Sequence, residues 1–223
     1  MKRAPNFDHL ARIYRWMELF TFGPWLARCR FAFLPRLLNA RNALVLGDGD
    51  GRFTARLLQQ NPSVLIDALD ASPRMLQALV LNASPRSGRI RVHPADARLW
   101  IPANPPYDLV ATHFFLDCLS TREVADLAAR LRPHLTPHAR WVISEFATPR
   151  SPFGWFIALP VVTALYFAFG VLTGLDRFHL PNHHQALSQA GFTLLDRQQR
   201  LGGLLVSELW SPAEHLGGQS PTG

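Results

Sequence analysis

Three glycines on alternate positions, Gly47, Gly49 and Gly51, follow a short apolar run in "ALVLGDGDGRFTARLL", residues 43–58. Glycines this close permit a tight turn and let backbone approach a ligand. Asp48 and Asp50 lie between them and put negative charge where a phosphate would be repelled. Asp70 closes the next apolar run, 19 residues beyond Gly51, and Asp96 closes the one after that. A carboxylate at a strand end can accept hydrogen bonds from both hydroxyls of a ribose. The set suits a nucleoside whose other charges are positive.

The spacing sharpens this. Dinucleotide turns read GxGxxG, and the third glycine allows close helix packing. Here the pattern is GxGxG, with Arg52 where that third glycine would fall. S-adenosylmethionine (SAM) meets the requirements: adenine, ribose, a sulfonium and an amino group, with no phosphate.

The elements that must position these residues alternate from residue 43 onward. "ALVLG" reads as a strand and "RFTARLLQQ" as a helix. "SVLIDALD" is a strand ending in Asp70, and "SPRMLQALVLNA" a helix with Ser72 as N-cap and Pro73 at its first position. "RIRVHPAD" reads as a strand ending at Asp96, and "YDLVATHFFL" as another. "TREVADLAARLRPHL" is a helix capped by Thr121, followed by the strand "ARWVISEFA". A helix, "NHHQALSQAG", and two more strand runs, "FTLLDRQQRL" and "GLLVSELW", complete the series. Seven strands separated mostly by helices predict a Rossmann-like, mostly parallel α/β sheet covered on both faces. Its ligand belongs at the carboxyl ends of the strands.

Two segments stand outside that rhythm. Residues 1–42 read as a helical cap rich in aromatics and arginines, packed on the core or lying on a membrane surface. Residues 151–181 begin with a run that has no charge between Arg150 and Asp176. By length, 153–175 qualifies as a transmembrane helix. A single crossing would put the last two strands on the wrong side of the membrane, so an apolar lid or a hairpin dipping into the bilayer is the expectation. The division is then a cap (1–42), a nucleotide-binding core (43–150), an apolar insertion (151–181), a helix and strand hairpin that rejoin the core (182–211), and a disordered tail (212–223).

Composition limits the function classes. The chain has 223 residues, 48% of them hydrophobic and 17% charged, with a net charge of +7. Lys2 is the single lysine, a bias of GC-rich, bacterial-type coding. The arginines are dispersed, and no helix-turn-helix, finger or RNP-type motif supports nucleic-acid binding. Cys29 and Cys118 form neither a CxxC metal motif nor a disulfide framework, which points to the cytoplasm and to no metal. "MKRAPNFDHLARIYRW" has no apolar core of a signal peptide. Oligomeric state is left open.

With these residues in view, the chain resembles the class I SAM-dependent methyltransferases almost end to end. "VLGDGDG" is similar to their first motif, "LDASPRML" to the second, "PADA" to the third and "YDLVATHFFLDCL" to the fourth. "FDHLARIYRWMELFTFGP" is similar to the N-terminal cap of the ubiquinone/menaquinone-type enzymes. The resemblance implies Gly47, Asp48, Gly49 and Gly51 around the cofactor, Asp70 on its ribose, and Ala71 and Met75 against adenine. It further implies Asp96 on the adenine amino group with Ala97 beside it, and Tyr14 and His113 near the cofactor. Two positions depart from the family. Val45 stands where an acid often faces the methionine amino group, and Asp117 and Cys118 stand where histidine is frequent.

Methyl transfer is an in-line displacement on an activated carbon, so the protein mainly aligns the acceptor and excludes water. A base is needed only where the acceptor must lose a proton. His113, expected to face the pocket, and Asp117 are the catalytic candidates. A lone histidine at a strand end is nevertheless more often a hydrogen-bonded structural residue. Phe114, Cys118, Glu145, Tyr166 and His183 are the candidates for the acceptor pocket. Glu145 reads equally well as half of a surface ion pair, and Cys118 as a small buried apolar residue. The apolar insertion suits a hydrophobic acceptor of quinone, phenolic or aminophospholipid type, with peripheral membrane contact. It would serve as well to pack on the domain or on a second subunit. The rival functions are a non-catalytic SAM-binding subunit and a membrane-anchored interaction protein.

Overall fold

The computed structural model describes residues 23–102, 106–147 and 180–213. Tyr14, Tyr166, the apolar run 153–175 and all but the start of the tail lie outside the described residues.

Seven strands form one sheet. They are β1 (Asn42–Leu46), β2 (Leu65–Asp70), β3 (Ile90–Pro94), β4 (Tyr107–His113), β5 (Leu135–Phe146), β6 (Phe192–Arg200) and β7 (Leu205–Pro212). Their order is β3-β2-β1-β4-β5-β7-β6. The first five are parallel, and β7 runs antiparallel between β5 and β6. The chain winds outward from β1 in one direction and from β4 in the other. The turn after β1 therefore opens at the point where the strand order reverses, the place where such sheets bind ligands.

Alternation within β1 explains the two layers of core. Ala43 and Val45 face one layer with Phe33, Leu57, Leu58 and Leu79; Leu44 and Leu46 face the other with Tyr107, Trp141 and Trp210. The first layer is covered by α2 (Arg52–Gln60) and α3 (Pro73–Asn82). The second is covered by α4 (Thr121–Leu131) and α5 (His183–Gln189). Helix α4 buries Val124, Leu127, Ala128 and Leu131, a stripe at helical spacing. The first described helix, α1 (Gly23–Arg30), starts at the Gly23–Pro24 break and packs Leu26 and Cys29 against Leu205, Phe114 and Phe146.

Two sequence expectations shift at element ends. Strand β3 stops at Pro94, opposite Asp70 at the end of β2; Ala95 makes the last bond to it, donating to the Asp70 carbonyl, and Asp96 lies in the turn beyond. Helix α4 is capped by Ser120 and not by Thr121. Ser120 Oγ accepts from the Glu123 N–H, and Glu123 Oε2 accepts from the Ser120 N–H. The glutamate three residues after Ser120 selects the cap. Among the described residues no helix is long and apolar enough to cross a membrane.

Candidate active site

The glycine turn is shaped by what surrounds it. Gly47 and Gly51 have φ of +64° and +81°. A Cβ on Gly47 would lie 2.2 Å from the Phe115 ring, and one on Gly51 2.7 Å from the Leu79 backbone. Gly49 differs: a Cβ there would meet nothing within 4 Å. This face of the turn is where a ligand can approach the backbone.

Asp48 corrects an expectation. Its carboxylate is buried and accepts from the N–H groups of Phe53 (3.3 Å) and Thr54 (2.8 Å), so it caps α2 instead of meeting a ligand cation. Burial raises its pKa, opposed by the charge of Arg30 and by those amides. Val45 lies in the core. Asp50 is paired with Arg52 at 3.3 Å.

Asp70 ends β2 beside this turn. Its Oδ1 accepts from the Ser72 N–H at 2.8 Å. Burial pushes its pKa up to about 6; the Ser72 bond opposes this and the Asp48 charge adds to it. A carboxyl in this state gains from any donor that reaches it, ribose hydroxyls included. Ser72 also caps α3 through the Met75 N–H, which places Met75, half-buried, one turn from exposed Ala71. Asp96 is held differently. Arg98 grips both its oxygens, and that hydrogen-bonded pair lowers its pKa. Ala97 next to it is buried, and its carbonyl accepts from Arg130.

His113 is a second correction. It ends β4 but lies in the interior, 3% exposed, with its ring 4.4 Å from that of Phe53. Its Nδ1 is 2.9 Å from Ser144 Oγ, which donates to the Cys29 carbonyl. Burial, aided by the charge of Arg30, drives its pKa well below the usual range, so the ring is neutral. Its packing between β4, β5 and α2 removes it from the strand-end surface and makes it a link between α1 and the sheet.

After β4 the chain makes a single 3-10 turn, Leu116–Cys118. Asp117 and Cys118 are both half-buried here, and Cys118 Sγ lies 3.6 Å from Asp117 Oδ1. Burial and then the neighbouring carboxylates push the Cys118 thiol well up, so it stays a thiol. Phe114 stacks on Phe146, ring centroids 5.3 Å apart, with the Arg30 guanidinium 5.7 Å from its ring. Glu145, at the end of β5, belongs to no surface ion pair: it is buried, and its Oε1 accepts the N–H groups of Phe115 and Leu116. His183 is turned to Glu208, at 3.2 Å, which accounts for its polar atom within the fold. Asp67, given no role from sequence, binds Arg91, His93 and Tyr107. Its partners lie on other strands, and only the polar letter inside an apolar run marked it.

The strand ends thus bring together an open glycine turn, the carboxyls of Asp70 and Asp117, and the rings of Phe114, Phe115 and Phe146. Such a site favours a nucleoside ligand carrying positive charge. Residues 43–138 match the family model for a methyltransferase domain. Trans-aconitate 2-methyltransferase of Streptomyces avermitilis is 40% identical over 70 residues, covering 30% of this chain and 26% of that protein. Malonyl-[acyl-carrier protein] O-methyltransferase of a Paenibacillus species is 29% identical over 163 residues, covering 70% and 56%. The chain therefore spans from about a quarter to just over half of these relatives.

Solved structures share the fold at low identity. Mitomycin 7-O-methyltransferase MmcR aligns with a TM-score of 0.67 at 17% identity, covering 93% of this chain and 61% of that one. The N-methyltransferase NodS from Bradyrhizobium japonicum, complexed with S-adenosyl-L-homocysteine, aligns with a TM-score of 0.62 at 18% identity, covering 90% and 98%. Residues 43–138 thus form a methyltransferase domain, and the sheet order and glycine turn give it the fold of the class I SAM-dependent enzymes. The residues present fit their cofactor: Gly49 leaves its face of the turn open, and Asp70 is a raised carboxyl at the adjoining strand end.

Proposed function

We propose that this chain transfers a methyl group from SAM to a hydrophobic small-molecule or lipid acceptor. The observation that carries the reading is Asp70 beside the open face of Gly49, at the reversal of strand order. When bound, the cofactor supplies a methyl carbon activated by its sulfonium. Asp70 would accept from its ribose, and Ala71, Met75 and Asp96 would hold its adenine. Asp117 is the carboxylate for an acceptor that must lose a proton; His113, interior and neutral, holds Ser144 instead.

The acceptor class rests on apolar surface. The run 151–175 is uncharged, and Phe114 and Phe146 wall the strand ends. Trp25 is exposed with the Arg28 guanidinium 4.8 Å from its ring, a pairing suited to a lipid headgroup boundary. These features support peripheral contact at the inner face of the cytoplasmic membrane.

Purified protein given SAM with a radiolabelled methyl group should label the organic phase of a bacterial lipid extract. Trans-aconitate and malonyl-acyl carrier protein, the substrates in the relatives' names, serve as polar comparators. Label in a polar comparator and none in lipid would refute the hydrophobic acceptor. Cofactor binding with transfer to nothing would favour a non-catalytic SAM-binding subunit. Retention in membranes after alkaline carbonate would favour a chain anchored through 153–175.

A further inference from the structure

The end of β5 carries a carboxyl group for which the scheme above has no use. Glu145 is 2% exposed. Its Oε1 accepts the backbone N–H of Phe115 at 3.0 Å and that of Leu116 at 2.8 Å. Its Oε2 is buried with no hydrogen-bond partner among the described residues. The backbone it holds is strained: Phe114 has φ +56°, which a bulky residue keeps only where its surroundings compel it. Two neighbours supply that compulsion. The Phe114 N–H donates to the Ser144 carbonyl at 2.7 Å, and the next two N–H groups go to Glu145.

What the turn then presents is the wall of the site. The Phe115 ring is laid across Gly47, and Asp117 and Cys118 follow in the same turn. Burial, and then the charge of Asp117, raise Glu145 well above the usual carboxylate range. That shift favours the protonated form, while Oε1 accepts the two N–H bonds, which oppose it. A neutral acid avoids the cost of a buried, unpaired charge.

We infer that Glu145 is a positioning residue for methyl transfer, acting through the Phe114–Cys118 turn that it pins across Gly47 and beside Asp117. The inference rests on the methyltransferase reading for its consequence. An amide at 145 supplies the same accepting oxygen without a titratable proton, whereas alanine supplies none.

The test compares Glu145→Gln with Glu145→Ala in the full chain. It reads residue-resolved amide hydrogen exchange, affinity for S-adenosylhomocysteine by calorimetry, and melting temperature. Glu145→Gln should keep wild-type protection at Phe115 and Leu116 and bind within about threefold of wild type. Glu145→Ala should exchange those two amides at least about tenfold faster. It should also bind about ten- to thirtyfold more weakly. Val110 in β4 and Val142 in β5 should stay protected in both variants.

Wild-type exchange and affinity in Glu145→Ala would overturn the role. So would a glutamine variant as impaired as the alanine one. Protection lost throughout β4 and β5 in step with melting temperature would mark a residue that only supports the fold, and would overturn it too. A wild-type chain that binds no S-adenosylhomocysteine would overturn the methyltransferase reading and this role together; wild-type binding with a silent alanine variant overturns this role alone.

Discussion

Asp67 and Glu208 lie inside the sheet, while Asp70 and Glu145 lie at the carboxyl ends of its strands. All four are acids on apolar strands, yet their surroundings are opposite. Asp67 accepts from Arg91 at 2.8 and 2.9 Å and from Tyr107 Oη at 2.7 Å, with His93 Nε2 at 2.9 Å. Glu208 accepts from Trp210 Nε1 at 2.9 Å, with His183 at 3.2 Å and Arg197 at 3.2 Å. Burial alone would raise both, but these partners outweigh it and hold both below the usual range. The strand-end pair has backbone amides in place of cations, and burial wins. The interior acids are committed to the fold; the strand-end acids keep capacity for something else.

Breaking an interior acid should produce the largest effect, and on stability. Glu208→Ala strands the buried end of Arg197 and unties α5 from β7. The expected loss is about 3–5 kcal/mol, read as a lower urea midpoint. The sign of its pH dependence follows. A lowered folded pKa contributes stability present above the unfolded value of 4.5 and lost as pH falls through the folded one. Wild-type protein should lose that contribution on acidification, and Glu208→Ala should not.

The strand-end acid should behave in the opposite sense. Asp70 has a folded pKa of about 6 against 3.8 for the unfolded chain. It therefore costs stability, progressively, as pH rises from 3.8 to 6, and the cost persists at pH 7.5. Asp70→Asn removes the charge and keeps an acceptor for the Ser72 N–H. It should stabilise the protein by about 1–3 kcal/mol at pH 7.5 while weakening S-adenosylhomocysteine. An unchanged or lower urea midpoint in Asp70→Asn would erase the contrast. A smaller, purely local effect is expected of Gly49→Val. It fills the open face at a φ of +58° and should cost affinity by about tenfold or more, with core strands still protected from exchange.

This contrast also marks how far the sequence could be read. Period and punctuation located the strands: "ALVLG", "YDLVATH" and "GLLVSELW" carry apolar runs that need two covered faces, and the sheet covers them. The strand-end position of Asp70 was legible because it is a local feature, an acid closing an apolar run. The inward turn of Asp48 was not, since its partners are amides of a helix it precedes. Glu208 and Asp67 were illegible for a related reason. Arg197 precedes Glu208 on the other arm of a hairpin, and Tyr107 follows Asp67 by 40 residues, so only the register of the sheet brings them together. His113 looked like a pocket residue because strand-end position is visible in sequence, while the direction of its ring is not.

The most direct test of the account is titration of S-adenosylhomocysteine into the wild-type chain and Asp70→Asn between pH 5 and pH 8. Binding to an ionised Asp70 predicts constant wild-type affinity above pH 6 and about a tenfold fall per unit below it. The asparagine variant should bind at least about thirtyfold more weakly at pH 7.5, with little pH dependence. Wild-type binding that is absent, or equal in the two proteins at every pH, would contradict the claim that this strand-end carboxyl holds the cofactor.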